Sequence, residues 1–107
     1  MRESLIQNAI EVYLQYLENQ HKLLYIKQNS GALPTARGGF IRFGKRGAAD
    51  FMVLIQGGKT LNLEVKNEKG RQTDSQLTYE LKLKKLGHKY YIVRSLDEVE
   101  KILKDYL

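Results

Sequence analysis

The most informative pattern lies in residues 50–66. From Thr60 to Lys66 the chain alternates, with Leu61, Leu63 and Val65 on one face of an extended strand and Asn62, Glu64 and Lys66 on the other. The preceding run Phe51-Met52-Val53-Leu54-Ile55 is apolar on both faces and reads as a strand buried from both sides. Gln56-Gly57-Gly58-Lys59 between them signals a hairpin, and its length decides which side chains meet. A two-residue Gly57-Gly58 turn sets Asp50 opposite Val65. A three-residue loop, Gln56-Gly57-Gly58 with Gly58 left-handed, sets Asp50 opposite Glu64, about 5 Å apart between Cβ atoms. The three-residue loop is the expectation adopted.

The rest of the chain supplies the frame. Residues 2–18 read as a helix with an apolar stripe of Ile6, Ala9, Ile10, Tyr13, Tyr16 and Leu17, and Ser4 to Gln7 has capping-box spacing. Glu3 and Gln7 lie one turn apart near the stripe's edge, where they can look toward a site beside the sheet; surface solvation or helix-end electrostatics also explains Glu3. Residues 23–27 suit a short strand ended by the turn Asn29-Ser30-Gly31. Residues 32–47 read as a mobile loop or irregular hairpin, with Phe40, Ile41 and Phe43 placed to cover a core edge or to stack on bases, the first being the commoner use. Thr73 to Gln76 is a second capping box, opening a helix to Leu86 whose buried side is Leu77, Tyr79, Leu81, Leu83 and Leu86. Gly87 stops it, residues 89–94 form a strand, and Ser95 opens a last helix through Tyr106 with Leu96, Val99, Ile102, Leu103 and Tyr106 inward. The order is α-β-β-β-α-β-α. An antiparallel three-stranded meander and a helical crossover to a parallel strand make an α/β fold, a mixed sheet flanked by helices.

Length and charge narrow the function. The 107 residues make one domain with one modest core. Without cysteine, disulfides and thiolate metal sites are excluded, and with no apolar membrane-length run a cytoplasmic protein is expected. The net charge of +6 is uneven: residues 19–49 contain no acid and carry Lys22, Lys27, Arg37, Arg42, Lys45 and Arg46. A basic segment of this kind suits a polyanion, most commonly nucleic acid, with Arg37, Arg42, Lys45 and Arg46 as the backbone-binding set. His21 and His88 have no ligand partner at metal-binding spacing, and Tyr90 and Tyr91 read as strand packing.

Two carboxylates brought together at a sheet edge repel, and a protein keeps them so to hold a divalent cation or share a proton. Asp50 and Glu64 offer hard oxygen ligands for Mg²⁺ or Mn²⁺, the Val65 carbonyl can add another oxygen, and the Lys66 ammonium can orient water or steady a phosphate. The bland reading is a surface ion pair of Lys66 with either acid. Gln76 alone reads equally as a capping residue or a site residue.

Gly47-Ala48-Ala49-Asp50, the hairpin, Glu64-Val65-Lys66 and then Gly70-Arg71-Gln72-Thr73-Asp74-Ser75-Gln76 together resemble the VRR-NUC family, virus-type replication-repair nucleases of the PD-(D/E)XK superfamily. The likeness extends to Glu3-Ser4-Leu5-Ile6-Gln7, the Asn29-Ser30-Gly31 turn and Gly87, and covers most of the chain as a single domain, 1–107. It implies a restriction-endonuclease-like core and a Mg²⁺- or Mn²⁺-dependent phosphodiesterase acting on DNA in repair or recombination, in a bacterial cell or phage-infected host. By resemblance, Asp50 and Glu64 are metal ligands, Lys66 the catalytic lysine, Gln76 the helix glutamine supporting the site, and Glu3 the acid from the first helix. Short members of the family look like homodimers cutting branched DNA such as four-way (Holliday) junctions or flaps. One departure is visible: Ala49 stands where the family has proline, which would stiffen the approach to Asp50. The competing readings are a nucleic-acid-binding module with a degenerate site and an interaction protein with an incidental ion pair.

Overall fold

The computed structural model describes residues 1–29 and 31–107. The expected turn at 29–31 is centred on Ser30, outside the described residues. Helix α1 (Glu3–Asn19) is followed by β1 (Leu24–Lys27), β2 (Gly31–Pro34), β3 (Phe40–Phe43), β4 (Phe51–Ile55) and β5 (Lys59–Val65). Then come α2 (Asp74–Lys85), β6 (Lys89–Val93) and α3 (Leu96–Lys104). The main sheet has the order β1-β4-β5-β6, antiparallel except for the parallel β5–β6 pair joined through α2. This is the expected mixed α/β sheet, with β2 and β3 inserted between the first two strands of the meander.

The central hairpin has the longer loop. Ile55 pairs with Lys59 and Phe51 with Leu63, leaving Gln56, Gly57 and Gly58 as the connection. Both glycines, rather than Gly58 alone, are left-handed, with φ of 88° and 75°. One step beyond Phe51, the ladder carries Asp50 to the side of Glu64.

Odd-numbered strand residues Phe51, Val53, Leu61, Leu63, Val65 and Val93 form the core with Ile6, Ile10, Leu14 and Leu17 of α1 and Val99 and Leu103 of α3. The α1 stripe therefore differs from the expected one: Leu14 is buried, while Ala9 and Tyr16 are exposed. Packing against both the sheet and α3 selects the 6-10-14-17 line over its neighbour. The Ser4–Gln7 capping box does not form, because α1 begins after Arg2 without a side-chain cap and the Gln7 amide is engaged elsewhere.

Helix α2 lies on the opposite face, across the polar side of β5. The expected apolar side is wrong in kind: α2 has no buried residue, and Leu77, Leu81 and Leu86 are exposed. The sheet surface beneath it carries Asn62, Glu64 and Tyr90, of which Tyr90 meets Gln72 from the segment leading into α2 and Glu64 meets Gln76 from its first turn, instead of leucines. Its capping box does form, Thr73 Oγ1 accepting from the Gln76 N–H and Gln76 Oε1 from the Thr73 N–H. Ser95 caps α3 in the expected place.

The segment expected as a loop or irregular hairpin is a regular two-stranded one, Gly31 pairing with Phe43 and Pro34 with Phe40. Among the described residues β2 and β3 pack on no other helix or strand. Phe40, Ile41 and Phe43 thus cover no core edge and stand exposed. The projection lengthens the molecule to 48 × 33 × 27 Å, with a radius of gyration of 14.8 Å against about 13 Å for a compact chain of this size.

Candidate functional site

The site forms where the start of β4, the end of β5 and the N-terminus of α2 meet. Asp50 Oδ2 accepts the Val65 N–H at 2.7 Å, and Oδ1 accepts from Gln7 Nε2 at 2.9 Å. The Asp50 carboxylate is thereby fixed from the strand beside it and from α1. In a strand, the N–H and C=O of one residue point to the same side, so the Val65 carbonyl looks out on the Asp50 side of β5.

Glu64 is almost completely buried, at 1% exposure, and its two oxygens differ. Oε2 accepts from Gln76 Nε2 at 3.1 Å and lies 3.5 Å from Lys66 Nζ, itself buried. Oε1 is buried without a hydrogen-bond partner among the described residues. Burial first, and the Asp50 charge second, push the Glu64 carboxyl up to about 8, with Lys66 opposing them. A buried acceptor without a donor, on an acid beside a second carboxylate, is what a divalent ion would complete. The donor set therefore fits a hard cation. The ion pair of Lys66 with Glu64 is buried, unlike the surface pair of the bland reading.

Gln76 belongs to both of its candidate roles at once, its Oε1 closing the helix cap and its Nε2 reaching Glu64. The missing proline has a local counterpart in Gln28, whose Nε2 donates to the Ala49 carbonyl at 3.1 Å and whose backbone N–H donates to the Asp50 carbonyl at 2.8 Å. Two hydrogen bonds from the end of β1 thus hold the approach that a ring would stiffen. Nothing in the local pattern around Gln28 announces this, because the contact spans 21 positions. Gln72 donates to the Tyr90 hydroxyl and to Glu80, and burial raises the Tyr90 phenol well above its ordinary range.

Glu3 is not brought to these acids. It is exposed at the start of α1, and Gln7, one turn on, takes the position against Asp50. Among the described residues, no three His, Cys, Asp or Glu side chains gather as a metal cluster.

A polar cleft of about 450 Å³ opens over Asp50, lined also by Gln7, Gln28, Arg46, Ser75 and Gln76. Arg46 and Lys45 also line the adjoining hollow beside Asp74 and Lys82. Arg42 lies on β3 and Arg37 in the β2–β3 turn, both exposed and farther out along the projection. A larger hollow, about 670 Å³, is lined by Glu18, Leu24, Leu54 and Tyr106 and holds none of the proposed site residues. Among the described residues, no helix is long and apolar enough to cross a membrane.

No family profile matches the sequence, and no curated protein is significantly similar. A solved structure titled "VRR_NUC domain" matches with a TM-score of 0.65 at 23% identity, over 98% of this chain and 97% of that one. The two folds correspond from end to end, and this chain has the fold of a VRR_NUC domain.

Proposed function

We propose that this protein is a divalent-metal-dependent DNA endonuclease. The observation that carries the reading is the pairing of Asp50 and Glu64 at the central hairpin, with one Glu64 oxygen buried and lacking a donor among the described residues. Asp50, Glu64 and the Val65 carbonyl would hold Mg²⁺ or Mn²⁺. When bound, such an ion supplies Lewis-acid stabilisation of the charge that builds on the phosphoryl oxygens during phosphodiester hydrolysis. Lys66, ion-paired to Glu64 at 3.5 Å, presents an ammonium to the phosphate or the attacking water. Gln76 acts through Glu64, holding Oε2 so that Oε1 faces its ligand, and Gln7 does the same for Asp50. Glu3, with no contact to either acid, is left without a ligand role in this reading.

Arg46 and Lys45 stand at the cleft and Arg42 and Arg37 beyond it, a track suited to a DNA backbone. The preferred substrate in this reading is branched DNA, and the active unit is a symmetric dimer. Supporting a second copy, β1 is an edge strand with Leu24 and Ile26 more than half or half exposed, at 58% and 50%.

Cleavage of a panel of junction, flap, nicked and plain duplex DNAs in Mg²⁺ or Mn²⁺ tests the reading. Glu64→Gln should lower every cleavage activity together, by on the order of 10³-fold, since charge stabilisation of several kcal/mol is lost. A wild type that cleaves nothing in either cation, while binding DNA as tightly as Asp50→Ala, would overturn it in favour of a binding module.

A further inference from the structure

The β2–β3 hairpin presents large apolar side chains on both of its faces, which ordinary folding does not require. Leu33, Ile41 and Phe43 share one face by register, and Phe40 shares the other with Arg42. Phe40 is 72% exposed, Ile41 62% and Leu33 60%. The ring of Phe43 lies over Gly31, where a Cβ would come within 2.9 Å of it, so the foot of the ribbon is packed on itself and its outer part is bare.

Both feet of the ribbon stand at the cleft. Asn29, before β2, and Arg46, after β3, line it together with Asp50. A four-residue strand spans about 13 Å, so the exposed rings lie within a few nucleotides of a phosphate held at Asp50.

We propose that this hairpin is a wedge that inserts between separated DNA strands and stacks on unpaired bases beside the scissile phosphate. The inference rests on the nuclease reading for its position, and deepens it by naming what distinguishes the substrate. A protein partner would cover one face of the ribbon; a wedge between strands uses both. The charge agrees, because residues 19–49 contain no acid and the hairpin itself carries Arg37 and Arg42. Groove reading of intact duplex would call for polar side chains toward base edges, whereas Phe, Leu and Ile suit insertion between bases.

The test uses the full chain and two DNAs of equal length, one fully paired and one with a two-nucleotide bulge carrying 2-aminopurine, bound in EDTA. Wild type should prefer the bulged DNA by about tenfold and change the 2-aminopurine fluorescence. Phe40→Ala should lose both effects, Phe40→Trp should keep them, and Arg42→Ala should weaken binding to the two DNAs alike. The melting temperature of Phe40→Ala should equal that of wild type, since the ring is exposed. Equal preference in Phe40→Ala and wild type would overturn the wedge, as would a wild-type oligomer that Phe40→Ala dissociates, which would make the ribbon an interface between copies. Cleavage of the same DNAs in Mg²⁺ is scored separately. A Phe40-dependent preference without cleavage upholds the wedge and removes the nuclease reading, and cleavage without preference does the reverse.

Discussion

Gln7 Nε2 donates to Asp50 Oδ1 at 2.9 Å, joining the first turns of α1 to the start of β4 across 43 positions. Gln76 does the same for Glu64 from α2 at 3.1 Å. Each acid of the pair is thus oriented by one glutamine from a different helix, on opposite faces of the sheet. The amides carry no charge of their own, so they orient the two carboxyl groups without supplying the cation that would offset them.

Gln7→Ala and Gln76→Ala should each lower divalent affinity by about 10- to 100-fold, the usual cost of losing a residue that orients a ligand. Calorimetric titration with Mn²⁺ measures this directly. Gln76→Ala should also weaken α2 by about 1 kcal/mol, because the capping box is lost, whereas Gln76→Glu should keep much of the cap. A cap-only role for Gln76 would leave Mn²⁺ affinity unchanged.

The pH dependence follows from Glu64. Its carboxyl rises from an ordinary value near 4.5 to about 8 in the folded protein. Between these values the folded state keeps a proton that the unfolded chain has released, so stability falls as pH rises. The contribution is complete below about 4.5 and gone above about 8. In EDTA, the melting temperature of wild type relative to Glu64→Gln should therefore decline across that window. Divalent binding selects the charged carboxylate, so Mn²⁺ affinity should increase over the same range with proton release, read as a buffer-dependent heat.

Gly47 has φ of +79°, and a Cβ there would lie 2.2 Å from the Ser75 carbonyl oxygen. The basic link thus passes directly against the first turn of α2. Gly47→Ala should destabilise the protein by at least about 1 kcal/mol from the left-handed backbone alone, with the backbone clash adding to it. Thermal melting reports the loss, and Gly57→Ala, which meets nothing within 4 Å, separates conformational strain from the clash.

Arg37, Arg42, Lys45 and Arg46, if they meet phosphates, share the salt dependence of DNA binding. Each alanine substitution should reduce the slope of log affinity against log salt by about 1 for a contact that is made. Lys89→Ala, on the far strand of the sheet, should leave the slope unchanged.

Much of this arrangement could be read along the chain. Alternation in residues 60–66 placed Asn62, Glu64 and Lys66 on one face, and the Gln56-Gly57-Gly58 tip carried the register that brings Asp50 beside Glu64. Both depend on local rules, the two-residue period of a strand and the backbone freedom of glycine, so neighbours in sequence suffice to state them. The capping box at Thr73 is local in the same sense.

Other features waited for the tertiary structure. The leucines of α2 read as a buried side until the sheet face beneath proved polar, since a helix's periodicity records its own apolar residues and nothing of what it packs on. Phe40, Ile41 and Phe43 read more readily as core cover than as rings to stack on bases, and the projecting ribbon removes the first use, because exposure is a property of the assembled chain. Gln7 in place of Glu3, and Gln28 in place of a proline ring, are contacts between segments far apart in sequence. Sequence alone determined which carboxylates share a strand pair; only three-dimensional packing decided which side chains hold them, because those distances are set by how helices dock on the sheet.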